Sequence, residues 1–336
     1  VNFVIINEAV NSLLHSMKSS EKREKIFNVY AKNLKHVAQK YEIEIGVETD
    51  NGPQPITYPV YICPLCIRAF SIESLQQNQK NPLTLEDLPP KSVKGKAKIL
   101  TCKECNNRSG HSLDVSIIES MDTESFLKRI PKSTLKKSKI SINDGPKYKV
   151  ITQITINRGF RFVLNKKNLA ARNDLQSFKK NSTINFTFKI PTQKQVNTSL
   201  VRIGLLLAFY YLGNRVLFEG NYHKIRNHVN DPKNNKLPHH GIIVFRPEFQ
   251  VQPGIHLIKK PTEYRSYLIV FDIVTDTISK TIAFPFPGPG KVGWKYYSNF
   301  NNMGKDTVLS LSDITSSEYI DNQGLVNAYD YIYKNG

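Results

Sequence analysis

The most informative segment for the fold of this chain is LTLEDLPPKSVKGKAKILTCKECNNRSGHSLD, residues 83–114. It contains one CxxC pair, Cys102 and Cys105, and a second pair, Cys63 and Cys66, lies 35 residues upstream. Two such pairs supply four thiolates from two short turns, which is typical of a tetrahedral zinc site. Redox-active dithiols and unrelated core cysteines are the alternatives. A four-cysteine site is coordinatively closed, so we expect a structural zinc ion rather than a catalytic one.

The composition indicates two domains and a negatively charged partner. The chain has 336 residues, and 47 Lys and Arg against 28 Asp and Glu give a formal net charge of +19. The commonest partner for such a positive field is a polyphosphate. We therefore predict that the protein binds nucleic acid, DNA rather than RNA, with an acidic membrane surface as the alternative.

No apolar run reaches the roughly 18 residues that a membrane span requires. The run IGLLLAFYYLG, residues 203–213, is shorter, and we predict that it is a buried helix that ends at Gly213. The first sixteen residues contain neither a basic segment nor a small-residue cleavage site, so we predict no secretory signal. These observations favour a cytoplasmic protein without a membrane partner.

Changes in composition predict three segments along the chain. Residues 1–60 form an N-terminal helical segment, with a helix from Ser19 to Lys40, and residues 61–124 form the zinc-binding module. Residues 125–336 form a basic domain, in which two helical patterns precede short β-rich segments separated by Pro and Gly. That order is typical of a largely antiparallel sheet, so we predict an α+β fold.

The basic domain opens with a strong excess of positive charge. Residues 125–180 contain fifteen Lys and Arg and only two acidic residues. The sequences YKVITQITI and RGFRFVL alternate polar and apolar residues, which predicts strands with one basic face. A solvated face without a ligand is the alternative. Our candidates for nucleic-acid contacts in this segment are Lys136, Lys137, Arg158, Arg161, Lys166 and Lys167.

The order of motifs resembles the zinc-containing HNH endonucleases of the ββα-metal type. It consists of a CxxC pair, the strand-like PLTLED, the loop PPKSVKGK, the second CxxC pair and a helix that begins near Asn106. The family pattern is LTxEHxPPxSxGG followed by LTCxxCNxxxG, and the resemblance covers residues 61–121. Residues 197–229 are more loosely similar to the helical segment that follows this module in bacterial HNH proteins. The resemblance implies an N-terminal helix, a zinc-braced ββα module and a C-terminal α+β domain.

The resemblance also implies that the protein hydrolyses phosphodiester bonds with one Mg²⁺ or Mn²⁺ ion. The implied substrate is DNA, and the implied biological role is defence or restriction. In such enzymes a strand histidine is the general base, while a neighbouring acidic residue and a helix His or Asn hold the cation. On this alignment Glu86 has the acidic position and Asn106 has the helix position. Asp87 stands at the general-base position, where a carboxylate is a weaker base than imidazole.

Two further residues could compensate for the missing histidine. If one helix continues through Gly110, His111 and Asp114 lie on the same face of it. They would then supply an imidazole and a carboxylate to the candidate catalytic site. The alternative is that Asn106 caps the helix, that His111 and Asp114 make local hydrogen bonds, and that the carboxylates merely end the strand.

Two other functions remain open. In the first, the module is catalytically inactive and binds nucleic acid through basic side chains on phosphates, with Lys91, Lys94, Lys96, Lys103 and Arg108 as the candidates. In the second, the zinc-braced fold is a scaffold whose basic surface meets an acidic protein. Steep salt dependence of nucleic-acid binding would distinguish the first from the second.

Overall fold

The structure is a computed structural model that describes residues 19–42, 46–49, 52–55, 59–110, 113–143, 145–164, 182–237, 242–245, 251–304 and 306–315. The chain divides into two compact units. Unit 1 takes its described residues from 1–111, 197–273 and 280–336, and unit 2 takes its own from 112–196 and 274–279. The basic domain expected at 125–336 therefore contributes residues to both units.

Runs of helices and runs of antiparallel strands follow one another along the described chain, as the α+β prediction implies. The helices are α1 (Ser19–Tyr41), α2 (Lys103–Gly110), α3 (Leu113–Leu127), α4 (Gln193–Leu212), α5 (Arg215–Phe218), α6 (Gly220–Asn230) and α7 (Gly290–Asn299). The strands are β1 (Gly46–Thr49), β2 (Gly52–Pro55), β3 (Tyr61–Ile62), β4 (Ala69–Phe70), β5 (Leu83–Leu88), β6 (Lys96–Cys102), β7 (Thr134–Ile142), β8 (Tyr148–Ile154), β9 (Phe160–Leu164), β10 (Ile184–Phe188), β11 (Ile243–Val244), β12 (Gly254–Lys260), β13 (Tyr267–Val274), β14 (Ser279–Phe286) and β15 (Ser310–Asp313).

The apolar run that we predicted to be a buried helix lies in α4. Most of its side chains are buried, and the helix ends where Gly213 adopts a left-handed φ of 66°. The N–H of Gly213 donates to the carbonyl oxygen of Phe209 at 2.8 Å, which satisfies one carbonyl group of the last turn. Within the described part of the chain, no helix is long and apolar enough to cross a membrane.

An aromatic cluster joins three elements of unit 1. The rings of Phe27 and Tyr30 from α1 lie against Tyr61 of β3, and Tyr30 stacks on Phe209 of α4 with ring centroids 4.7 Å apart. All four side chains are buried, and burial of each such ring contributes roughly 1.5–3 kcal/mol. Because Tyr61 lies two residues before Cys63, the cluster holds α1 and α4 close to the first cysteine pair.

Unit 2 consists of α3 and a four-stranded antiparallel sheet with the strand order β10-β7-β8-β9. Phe126 of α3 packs against Phe160, Phe186 and Phe188 on one face of this sheet. Phe162 lies beside Phe160 and Phe186 on the same face. The predicted alternation of YKVITQI and FRFVL therefore corresponds to β8 and β9, with one face turned toward α3.

Candidate functional site

The four cysteines lie together in unit 1. The Sγ atoms of Cys63, Cys66, Cys102 and Cys105 are all within 4.8 Å of one another. Those of Cys66 and Cys102 are 3.8 Å apart, which is the edge expected of a tetrahedron with metal–sulfur bonds of about 2.3 Å. Three of the four side chains are buried, and Cys66 is partly exposed. The four residues could therefore hold a metal ion.

Local backbone geometry directs both pairs toward this point. In the turn between β3 and β4, the N–H of Ile67 donates to the Cys63 carbonyl and the N–H of Cys63 donates to that of Arg68. Ile67 has a left-handed φ of 62°, which tightens the turn. Cys102 is the last residue of β6 and Cys105 lies in the first turn of α2, so the second pair spans a strand-to-helix junction.

A buried tyrosine connects the two halves of the cluster. The Tyr61 hydroxyl donates to the Leu100 carbonyl oxygen at 2.7 Å and accepts from the Leu100 N–H at 3.1 Å. Tyr61 precedes the first cysteine pair by two residues, and Leu100 precedes the second pair by two. These bonds therefore fix β3 against β6 across a separation of 39 residues.

Cationic side chains surround the sulfur atoms. Arg68 donates to Cys66 Sγ at 3.4 Å and to Cys102 Sγ at 3.7 Å, and it also pairs with Glu104. Hydrogen bonds from Cys102, Cys105 and Cys63, followed by the one from Arg68, lower the pKa of the Cys66 thiol. Hydrogen bonds from Cys105 and Cys63 also lower the pKa of the Cys102 thiol, to about 6, whereas hydrogen bonds within the cluster raise the pKa of Cys63 and of Cys105. Two of the four thiols therefore favour the thiolate form that binds metal. Sequence reasoning missed Arg68, although its position two residues after a CxxC pair was a usable signal.

Helix α6 covers the first cysteine pair. Arg226 donates to the Pro64 carbonyl at 2.8 Å, and Asn230 donates to the Leu65 carbonyl at 2.8 Å. Arg108, which we predicted to contact phosphate, donates to Asn230 at 3.3 Å and also lies near the sulfur cluster. Its guanidinium group therefore has a structural role in bracing α2 against α6.

Strands β5 and β6 form an antiparallel hairpin, and α2 follows it directly. The pairing shifts within the hairpin, because Glu86 lies opposite Ile99 whereas Asp87 lies opposite Ala97. Lys98 is therefore an extra residue in β6. On regular strands adjacent side chains point to opposite faces, but a bulge bends the strand and changes those directions locally.

Glu86 lies in a buried ion pair. Its Oε1 accepts from Arg202 of α4 at 2.7 Å, and its Oε2 accepts from the Thr101 hydroxyl at 2.8 Å. Glu86 is 3% exposed and Arg202 is 0% exposed. Both carboxylate oxygens already accept hydrogen bonds, which favours a structural role over the predicted metal-binding role. The signal that sequence reasoning missed was a single arginine immediately before the apolar run of α4.

Asp87 is surrounded by lysines. Burial raises the pKa of the Asp87 carboxyl, with Glu86 adding to the rise, while Lys91 and Lys22 oppose it. Burial lowers the pKa of Lys22, which Asp87 partly counteracts and Lys96 reinforces. Sequence reasoning did not include Lys22, because it lies in α1, about 65 residues before Asp87, and only tertiary packing brings the two together.

Asn106 connects α2 to β5. Its side-chain amide donates to Thr84 Oγ1 at 3.0 Å and to the Leu85 carbonyl at 3.3 Å. His111 lies outside the described residues. Asp114 lies in the first turn of α3, which belongs to unit 2, whereas α2 ends at Gly110 in unit 1.

The described residues assemble one metal-binding group and no second one. Among them, the four cysteines are the one set of three or more His, Cys, Asp or Glu side chains close enough to share an ion. Neither Glu86, Asp87 nor Asp114 belongs to another such set. The catalytic Mg²⁺ or Mn²⁺ site implied by the resemblance therefore remains a prediction.

The predicted phosphate contacts lie in different surroundings. Those of the hairpin and its neighbouring helix are exposed, namely Lys91, Lys94, Lys96 and Lys103. In unit 2, Lys137 pairs with Glu119, whereas Arg158 and Arg161 are exposed. Lys166 and Lys167 lie outside the described residues.

Lys98 is a partly buried lysine at the bulge. Its Nζ lies 4.6 Å from the ring centroid of Tyr210 and 5.9 Å from that of Tyr211. Burial, and then the charge of Lys96, lower the pKa of the Lys98 ammonium group from 10.5 to about 8. A charged Lys98 therefore lowers the stability of the folded protein at neutral pH.

We expect Lys98→Met to stabilise the protein at pH 7. The lowered pKa corresponds to about 3 kcal/mol, and loss of the ring contacts offsets roughly 1 kcal/mol, leaving a net gain of about 2 kcal/mol. Between pH 8 and 10.5 the unfolded chain binds more protons at Lys98 than the folded protein does, so the stability of the wild type rises with pH. The difference in stability between Lys98→Met and the wild type therefore disappears over this range. Urea denaturation at several pH values measures this, with Lys295→Met as the exposed control. A variant less stable than wild type at pH 7 would contradict the expectation.

No protein-family model, curated protein or solved structure matches this chain. The features that indicate the class of protein are therefore the cysteine cluster, the hairpin with its following helix, and the distribution of charge.

Proposed function

We propose that the chain is a nucleic-acid-binding protein built on an HNH-like ββα module that a structural zinc ion braces. One observation carries the proposal: the β5–β6 hairpin leads directly into α2, and the four-cysteine cluster lies at that junction. This is the order of elements that the HNH resemblance implies.

Zinc suits the cysteine cluster better than other common metals. Four thiolates in tetrahedral positions favour zinc or iron–sulfur chemistry, whereas Mg²⁺ and Ca²⁺ prefer oxygen ligands. The set has no position for water or substrate once four sulfurs are bound. The zinc ion would therefore fix the hairpin against the first cysteine pair and take no part in chemistry.

The surroundings of the hairpin support phosphate as its ligand. Lys91 and Lys96 are exposed at the loop, and Lys22 adds a third cation from α1. Asp87 is the acidic group that faces these lysines. Phosphate contacts of this type attract nucleic acid without reading its sequence, and DNA is the ligand that we propose.

Binding to labelled duplex DNA at several salt concentrations tests this function. We expect affinity to fall about 100-fold or more between 50 and 200 mM salt. The variant Lys91→Gln/Lys96→Gln should reduce the slope of log K against log salt by about 2, since each phosphate contact contributes about 0.9. The matched control is Lys259→Gln/Lys295→Gln, which removes two exposed charges elsewhere. Absence of nucleic-acid binding by the wild type would refute the proposal and leave the protein-interaction scaffold.

Metal-dependent hydrolysis of phosphodiester bonds is a second candidate, favoured by Asp87. This carboxylate stands at the general-base position of the HNH pattern, and burial raises its pKa toward the range useful in proton transfer. A Mg²⁺ or Mn²⁺ ion would supply Lewis-acid stabilisation of the phosphate charge.

We expect Asp87→Asn to abolish any cleavage of supercoiled plasmid that depends on Mg²⁺ or Mn²⁺, because an amide cannot accept a proton in this role. The control is Glu73→Gln, which changes a fully exposed carboxylate in the same unit. If the wild type does not cut with either metal, or if Asp87→Asn cuts as fast, the second candidate fails. The binding function is then tested separately by the salt dependence of binding to duplex DNA.

A further inference from the structure

The two layers of unit 2 carry opposite charges. Strands β7 to β10 contain five Lys or Arg residues and no acidic residue. Helix α3 contains four acidic residues and no Lys or Arg. Of these two layers of unit 2, the sheet therefore carries the positive charge, and its two faces have to be considered separately.

The strand register places three cations on the face opposite α3, which we call the outer face. Lys139 of β7 lies directly opposite Lys149 of β8, and Arg161 of β9 lies opposite Gln153. All three cations are exposed, whereas the neighbours Ile140 and Val150 point inward and are buried. Like charges directly opposite each other destabilise a sheet, so Lys139 and Lys149 indicate a surface arranged for an anion.

The other two strand lysines have partners on the helix side. The pairing of β7 shifts between Leu135 and Ser138, where the intervening Lys136 and Lys137 are both exposed. Lys137 pairs with Glu119 of α3. Burial raises the pKa of the Asp122 carboxyl, and Lys136 lies close enough to oppose that rise. The acidic residues of α3 therefore offset these charges, although sequence reasoning had selected both lysines as phosphate contacts.

Among the described residues, the outer face has no aromatic platform. The five phenylalanines of α3 and the sheet cluster on the inner side, while the outer face carries half-exposed Ile151 and Val163 opposite each other. Proteins that bind single strands stack bases on aromatic side chains. A surface of cations, short polar groups and two aliphatic side chains, without such rings, suits the phosphate backbone of a duplex instead.

We infer that the outer face, defined by Lys139, Lys149 and Arg161, docks the phosphate backbone of double-stranded DNA. The inference deepens the proposed function, since it rests on nucleic acid being the ligand. Lys139 and Lys149 lie on adjacent strands about 5 Å apart, and Arg161 lies roughly 14 Å from Lys149, which spans about four base pairs. A concavity of about 390 Å³ beside Lys139 is also lined by Lys147 and Thr187, and gives room for a phosphate group.

The test uses the full-length chain, a labelled duplex of about 30 base pairs, and a single strand of the same length, at several salt concentrations. We expect the variant Lys139→Gln/Lys149→Gln/Arg161→Gln to bind the duplex at least tenfold more weakly and to reduce the salt slope by about 2.7. The matched control, Lys233→Gln/Lys259→Gln/Lys295→Gln, removes three exposed charges of unit 1.

A variant with added charge keeps the test valid if the triple substitution perturbs folding. Thr187 is exposed and lies opposite Lys139, so Thr187→Lys should increase the salt slope by about 0.9. An unchanged slope in both variants, or tighter binding of the single strand, overturns the inference. If the outer face fails this test but Lys91→Gln/Lys96→Gln still reduces the salt slope, the proposed function stands. If the wild type binds no nucleic acid, the proposed function fails with it.

Discussion

Removing the zinc ion that we propose for the four-cysteine cluster is expected to unfold the surrounding part of unit 1. Apparent binding energies of structural zinc reach about 10–16 kcal/mol at pH 7 in small zinc domains, which exceeds the net stability of an ordinary domain. Cys102 is 0% exposed at the strand-to-helix junction, so Cys102→Ser removes a ligand at the centre of the module. We expect the melting temperature to fall by at least about 10 °C after this change or after chelation.

Metal content and thermal melting check this prediction together. Purified protein should contain one zinc ion per chain, and Zn²⁺ but not Mg²⁺ should restore the chelated protein. Cys66→His serves as the matched variant, because Cys66 is partly exposed and histidine keeps a zinc-binding atom. It should retain more metal than Cys66→Ser. Substoichiometric metal, with melting unaffected by chelator, would show that the cysteines are simple core residues.

The second large effect concerns the buried pair of Glu86 and Arg202. Removing either partner leaves the other charge without compensation inside the protein, at a cost of about 3–5 kcal/mol. We therefore expect Glu86→Leu and Arg202→Met each to destabilise unit 1 by this amount. Replacing both residues should recover most of the loss, because apolar side chains of similar volume often substitute for a buried ion pair. Denaturant unfolding of the two single variants and the double variant measures the coupling energy.

An exposed pair provides the comparison for this cycle. Lys128 and Glu124 are 2.7 Å apart, with the lysine side chain 62% exposed, so Lys128→Ala should cost less than about 1 kcal/mol. If the Glu86 and Arg202 single variants cost no more than that, the buried pair does not hold β5 against α4.

A large cost in stability has a practical consequence, because loss of activity in a Glu86 variant would then report instability. Asp87 is the better position for testing chemistry.

The sequence predicted features that depend on neighbouring residues. The helix expected at Ser19–Lys40 is observed as Ser19–Tyr41, and the apolar run of α4 ends at Gly213 as expected. The β-rich segments after α6 are observed as strands in an antiparallel sheet. These elements were predictable because side-chain periodicity and capping act over a few residues. The pairing of two CxxC motifs was also predictable, since four thiols in this pattern have few other uses.

Which charges are available for function depends on contacts between residues that are distant in the sequence. Glu86 meets an arginine 116 residues away, and Lys137 meets an acidic residue on a helix, whereas Lys139 two residues later lies on the opposite face of the sheet. Local sequence does not contain this information, because Coulomb and hydrogen-bond partners are set by packing between distant elements. Residues that are neighbours along the chain set the composition of the four-cysteine cluster and the helices and strands around it. The fold determined which carboxylates and lysines neutralise one another, and therefore which remain to attract a ligand.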